Sequence, residues 1–161
     1  MSDNSKELER IAKIRASSQK KLVFTNGCFD ILHVGHIRYL TEAKSLGDLL
    51  VIGLNSDSSI KELKGESRPI VNEQERKEML LALKSVDFVL LFSEQTPLNL
   101  IKEVMPDVLV KGGDWKPEQI VGADVVKASG GEVCSLSFVD GKSTTNIIDR
   151  IKQLGSSVAD G

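Results

Sequence analysis

Leu22-Val23-Phe24-Thr25-Asn26-Gly27-Cys28-Phe29-Asp30-Ile31-Leu32-His33-Val34-Gly35-His36 opens as an apolar run of strand length, passes through a polar, glycine-bearing turn and ends where a helical pattern begins. That pattern continues from Val34 to Leu46 and is stopped by Gly47. Leu49–Leu54, Phe88–Phe92 and Val108–Val110 are further apolar runs of strand length. They are continuous rather than alternating, as expected of strands covered on both faces in a parallel sheet. Between them lie helical patterns at Asn72–Leu83 and Pro97–Val104, the first opened by Asn72 with Glu75 one turn on and the second closed before Pro106. A helix near Glu118–Ala128, a break at Ser129-Gly130-Gly131, a strand at Glu132–Leu136 and a helix from Ser143 to Leu154 complete the alternation. The order calls for an α/β fold, a doubly wound, mostly parallel sheet in three α/β/α layers.

The remaining segments are plainer. Leu8, Ile11 and Ile14 place a short amphipathic helix over Glu7–Ser17, within a lead-in of residues 1–20. One domain is expected over residues 21–154, and residues 155–161 read as a frayed tail. Lys61 and Lys64 lie in a charged, mobile-looking stretch.

Composition narrows the function. With 21 basic and 23 acidic residues, the chain has no clustered positive charge for a nucleic-acid surface, so phosphate recognition is expected to be local. No run reaches the length of a membrane span and the first twenty residues hold no signal-peptide core, so a cytoplasmic protein without a membrane partner is expected. Cys28 and Cys134 lack metal-ligand spacing and read as reduced thiols.

In doubly wound folds the ligand crevice lies beyond the carboxyl ends of the strands. The residues there are Asn26-Gly27-Cys28-Phe29-Asp30, Asn55-Ser56-Asp57, Ser93-Glu94 and Lys111-Gly112-Gly113-Asp114-Trp115. Both histidines of the chain, His33 and His36, open the first long helix at a spacing that lets the rings share one side, and Gly35 leaves room for a ligand. A helix start with unpaired N–H groups and two imidazole donors suits phosphate. A zinc site on the two histidines and Asp30 lacks a fourth ligand, and a reactive Cys28 competes with simple packing. Arg76 also reads as an exposed helix residue, Trp115 as a core or rim side chain, and Ser143 and Thr144 as helix caps.

The stretch from Thr25 to His36 resembles the HxGH signature of the nucleotidyltransferase superfamily, in its cytidylyltransferase-like branch. Lys64-Gly65, Arg76, Gly113-Asp114-Trp115 and Ser143-Thr144-Thr145 match further elements of that family in order, so the resemblance covers Lys21 to Leu154. Residues 61–70, Val110–Trp115 and Asp140–Ile148 are similar to the D-glycero-β-D-manno-heptose 1-phosphate adenylyltransferases, in a form without a fused sugar kinase.

The resemblance implies a Rossmann-like nucleotidyltransferase fold that moves AMP from ATP to a sugar 1-phosphate and releases pyrophosphate. It implies that His33, His36 and Lys64 act on the triphosphate and the reacting phosphorus. Thr25, Asn26, Gly27, Phe29, Arg76, Asp114, Ser143 and Thr144 would bind the nucleotide, and Asn55, Asp57, Arg68 and Trp115 the sugar phosphate. ATP enters as a substrate with Mg²⁺ on its phosphates, and no protein metal cage is expected. ADP-heptose for lipopolysaccharide core or another surface glycan is the implied product, with the 1-phosphate supplied by a separate sugar kinase. A homo-oligomer is compatible with all of this. The rival readings are a cytidylyltransferase acting on glycerol 3-phosphate and a non-catalytic nucleotide-binding module.

Overall fold

A computed structural model describes residues 3–159. Five strands, β1 (Leu22–Gly27), β2 (Leu49–Asn55), β3 (Phe88–Phe92), β4 (Val108–Gly112) and β5 (Glu132–Leu136), form one sheet in the order β3-β2-β1-β4-β5. Every pairing is parallel, so the expected mostly parallel sheet is parallel throughout. The helices are α1 (Asp3–Ser17), α2 (Val34–Ser45), α3 (Asp57–Lys64), α4 (Glu73–Leu81), α5 (Leu98–Val104), α6 (Ala123–Ala128) and α7 (Thr144–Ala159).

The continuous apolar runs are explained by burial on two faces. All seven residues of β2 are buried. Phe24, Val51, Leu90 and Leu109 point to one side, where they pack with Ile11 of α1, Ile101 and Val104 of α5 and Val126 of α6. Their neighbours Val23, Ile52, Val89 and Val110 point to the other, against Leu40 and Ala43 of α2 and Leu80 of α4. Each such side chain contributes about 1.5–3 kcal/mol over its exposed state. From β1 the chain steps outward to β2 and β3 with α2 and α4 on one face, then crosses back through α5 on the other face to β4, beside β1. Right-handed crossovers that leave a central strand in opposite directions need their helices on opposite faces. The winding therefore reverses between β1 and β4, which opens a crevice beyond their carboxyl ends.

The outer edge of β3 is covered by a side chain. Asn4 donates its amide to the Leu91 carbonyl at 2.6 Å and accepts from the Leu91 N–H at 3.0 Å, standing in for a neighbouring strand.

Several boundaries differ from the sequence reading. The stretch containing Lys61 and Lys64 is helix α3, opened by Ser56, whose side chain accepts from the Ser59 N–H. The expected helix at Glu118–Ala128 is a 3₁₀ turn at Pro117–Gln119 followed by α6, with Gly122 between them at φ 85. A Cβ on Gly122 would come within 2.8 Å of the Ile101 side chain, so the break lets the chain settle onto α5. The lead-in helix starts at Asp3, and the tail expected to fray from Gly155 is helical as far as Ala159. Residues 1, 2, 160 and 161 of that lead-in and tail lie outside the described residues. No helix among the described residues is long and apolar enough to cross a membrane.

Candidate active site

A cavity of about 380 Å³ occupies the crevice beyond β1 and β4. The loop after β1 supplies Asn26, Gly27, Cys28, Phe29 and Asp30 to its wall, and the start of α2 supplies His33, Gly35, His36 and Tyr39. Lys64 and Arg68 reach it from the segment that follows β2, Lys111 and Gly112 from the end of β4, and Phe138, Val139 and Lys142–Thr145 from the segment that leads into α7.

The loop after β1 is bent sharply. Phe29 takes a left-handed backbone at φ 46, a conformation that costs a bulky residue about 1–3 kcal/mol. Packing holds it there. Its ring is buried, a Cβ on Gly27 would lie 3.0 Å from the ring edge, and the His36 ring stands 5.3 Å from it.

The two histidines start α2 together. Nδ1 of His33 accepts from the Gly35 N–H at 3.1 Å, and Nδ1 of His36 accepts from the His33 N–H at 3.3 Å. The rings stack with centroids 3.9 Å apart. A neutral imidazole that accepts at Nδ1 carries its proton on Nε2, so each ring keeps one N–H donor for a ligand. Burial, then His33, then Lys64 pull His36 down to about 4, and burial and Lys142 hold His33 below the ordinary histidine value. Both are neutral donors near neutral pH. Gly35 is required here, because a Cβ would sit 2.8 Å from the His33 ring and 3.2 Å from Lys142.

Asp30 is buried, and its carboxylate accepts from the N–H groups of Ile70 and Val71 and from Nε of Arg68 at 2.6 Å. Burial alone would raise its pKa, but the Val71 and Ile70 amides and Arg68 outweigh it and hold the carboxyl below its usual value. The clasp ties the loop after α3 over the cavity and aims Arg68 at it. With its lone pairs engaged, Asp30 is a poor metal ligand, and no His, Cys, Asp and Glu cluster among the described residues is suited to holding an ion.

At the far wall, Ser143 accepts from the Asn146 N–H at 3.0 Å and Thr144 donates to the Ile31 carbonyl at 3.2 Å. These bonds fix the start of α7 against the loop after β1. Its first N–H groups and Lys142 then lie on the cavity side near the histidines.

Of the residues singled out from the sequence, Asn26, Gly27, Phe29, His33, His36, Lys64, Arg68, Ser143 and Thr144 line the cavity. The others stand elsewhere. Thr25 is fully buried behind it, bonded to the Tyr39 hydroxyl at 2.6 Å, and burial pushes that phenol up to about 12. Arg76 is neither an exposed helix residue nor a cation in the cavity. It is fully buried and donates to the carbonyls of Val71 and Cys28 and to Asp57 at 2.8 Å. Asp57 is engaged by that pair, and Asn55 is buried and donates to Ser59. Asp114 and Trp115 are outside the cavity wall, with Trp115 46% exposed and so not a core residue. Sequence reading passed over Lys111, Phe138, Lys142 and Tyr39 as site residues. Lys111 follows the apolar run Val108–Val110 and Lys142 adjoins Ser143, so position signalled both, but their charge alone did not.

The cytidylyltransferase-like family model matches residues 24–133. The "Bifunctional protein HldE" of Geotalea uraniireducens is 56% identical over 149 residues, 92% of this chain and 30% of the relative. That of Campylobacter concisus is 58% identical over 146 residues, 91% of this chain and 30% of the relative. The chain thus spans less than a third of the length of these curated relatives. The lipopolysaccharide core biosynthesis protein from Thermoplasma volcanium superposes with a TM-score of 0.60 at 31% identity, covering 76% of this chain and 99% of that one. Pantothenate synthetase from Thermus thermophilus shares the fold alone, at 18% identity and a TM-score of 0.52, covering 80% of this chain and 60% of that one. With its five parallel strands and its paired histidines at the strand-to-helix junction, the chain belongs to the cytidylyltransferase-like family and is a nucleotidyltransferase.

Proposed function

We propose that the enzyme transfers AMP from ATP to D-glycero-β-D-manno-heptose 1-phosphate, giving ADP-heptose and pyrophosphate. The observation that carries transfer is the histidine pair, whose Nδ1 atoms are occupied by backbone N–H groups so that two neutral Nε2–H donors remain for a polyphosphate. The heptose acceptor is supported by the likeness to the HldE proteins and to a lipopolysaccharide core biosynthesis protein.

In this reading an oxygen of the sugar 1-phosphate attacks the α-phosphorus of ATP. The bond from that phosphorus to the bridging oxygen breaks, and pyrophosphate leaves on the opposite side. The acceptor oxygen is already ionised, so the work of the protein is to align two anions and neutralise charge that moves onto the leaving group. His33, His36, Lys142 and the start of α7 receive the leaving phosphates, while Lys64 and Arg68 close over the reacting centre. Mg²⁺ carried on the triphosphate would neutralise part of its charge. A sugar kinase activity supplies the 1-phosphate, the reaction runs in the cytoplasm, and the product feeds lipopolysaccharide core or a related surface glycan.

The test is pyrophosphate release with ATP and CTP against heptose 1-phosphate and glycerol 3-phosphate. Turnover is expected with ATP and heptose 1-phosphate, whereas turnover confined to CTP and glycerol 3-phosphate would overturn the assignment. His36→Ala should cost about 10²–10³ in kcat while the far-UV circular dichroism stays native.

A further inference from the structure

Three lysines line the cavity, and they are not alike. Lys64 and Lys142 are exposed, as surface lysines usually are, but Lys111 is half-buried in the wall at the end of β4. No ion pair or hydrogen bond among the described residues engages its ammonium. Burial holds Lys111 below the ordinary lysine value, with Cys28 pulling the other way. A cation kept partly out of water with no counter-charge is destabilised until an anion arrives, so the site is built for one.

Its position says which anion. Phe24 pairs with Leu109, and two residues further along each strand stand Asn26 and Lys111. Asn26 lies on the α5 face of the sheet, where it would touch a Cβ placed on Gly53 together with Phe24 and Leu100. Lys111 has the same strand parity as Leu109, which faces that side too. The histidines belong to α2, which packs on the opposite face. The cavity thus has an electropositive end built from the neutral N–H donors of His33 and His36, the Lys142 ammonium and the start of α7, whereas Lys111 belongs to the other face of the sheet, apart from that end and from Lys64 and Arg68 of the segment that follows β2. In-line displacement needs attacking and leaving groups on opposite sides of the phosphorus, so the two anions of the reaction require two separate electropositive ends.

We infer that Lys111, with Asn26 beside it, is the seat of the acceptor's phosphate and so selects phosphate monoesters as acceptors. The inference rests on the proposed nucleotidyl transfer for the word acceptor, but the site can be tested without turnover. The chain is saturated with α,β-methylene ATP and titrated calorimetrically with mannose 1-phosphate, in the wild type, Lys111→Met and Lys111→Arg. Lys111→Met should weaken mannose 1-phosphate by about tenfold or more, and Lys111→Arg should restore most of it. Affinity for the ATP analogue should stay within about twofold in both variants. Equal sugar-phosphate affinity in wild type and Lys111→Met, no binding by the wild type, or an equal loss for the ATP analogue each overturns the inference. A wild type that binds both ligands with the expected Lys111 dependence yet releases no pyrophosphate from ATP and heptose 1-phosphate would remove the proposed reaction and leave the phosphate site standing.

Discussion

Because Nδ1 of His33 and of His36 is held by backbone N–H groups, any proton that adds to either ring breaks the bond that starts α2. Histidine here caps the helix and keeps a donor free, which serine or asparagine could do only in part. The linkage has a definite sign. His36 titrates near 6.5 in the unfolded chain and about 4 in the folded one, so between those values the unfolded state binds more protons. This contribution to stability is complete above 6.5 and is lost as the pH falls toward about 4, and His33 adds to it in the same direction. The urea midpoint should therefore fall between about pH 7 and pH 5, and His36→Asn, with no titrating ring, should flatten that fall. Gly35→Ala makes a second prediction from the same turn. A Cβ 2.8 Å from the His33 ring must push the ring aside, so kcat should drop about 10²-fold with the fold retained, read from pyrophosphate release and circular dichroism together. The positions of His33 and His36 were legible in the sequence as a clustered pair, but their Nδ1 bonds were not, because they depend on backbone geometry.

The elements that sequence reading missed or moved share a cause. Helix α3 has eight residues and one buried apolar side chain, Ile60, which is too little for a period to register. Its neighbour α4 was placed correctly, yet Arg76 within it was misjudged, since the pattern of charge around it matches a solvated face. What the pattern lacked was the loop after β1, whose Cys28 carbonyl meets the guanidinium 48 positions away. Arg76 thereby ties α4, the start of α3 and the active-site loop together through Asp57, Val71 and Cys28. Arg76→Lys cannot reproduce three bonds in three directions, and it should lower stability by about 3 kcal/mol, seen as a lower urea midpoint. Lys111 was missed for a related reason. A lysine after a strand looks like any solvated lysine until burial without a partner sets it apart.

For the whole molecule, the sheet was legible because burial on both faces leaves uninterrupted apolar runs such as Leu49–Leu54. The alternation of strand and helix implied a doubly wound sheet, whereas the strand order and the cavity wall, drawn from five separate segments, needed the fold itself. The two packed faces are separated by the sheet, which has a measurable consequence. Ile52→Val on the α2 face and Ile101→Val on the α5 face should each cost about 0.5–1.5 kcal/mol. Their sum should match the double variant within about 0.5 kcal/mol in urea titrations, because neither residue shares a cluster with the other. The winding order reaches beyond the finished molecule. The chain builds β1, β2 and β3 with α2 and α4 on one side before α5 and α6 exist to clad the other. During synthesis, once β3 has left the ribosome, Phe24, Val51, Phe88 and Leu90 have α1 of this sheet's helices beside them but not yet α5 or α6. The order of elements along the chain thus leaves one face of the sheet to be clad last.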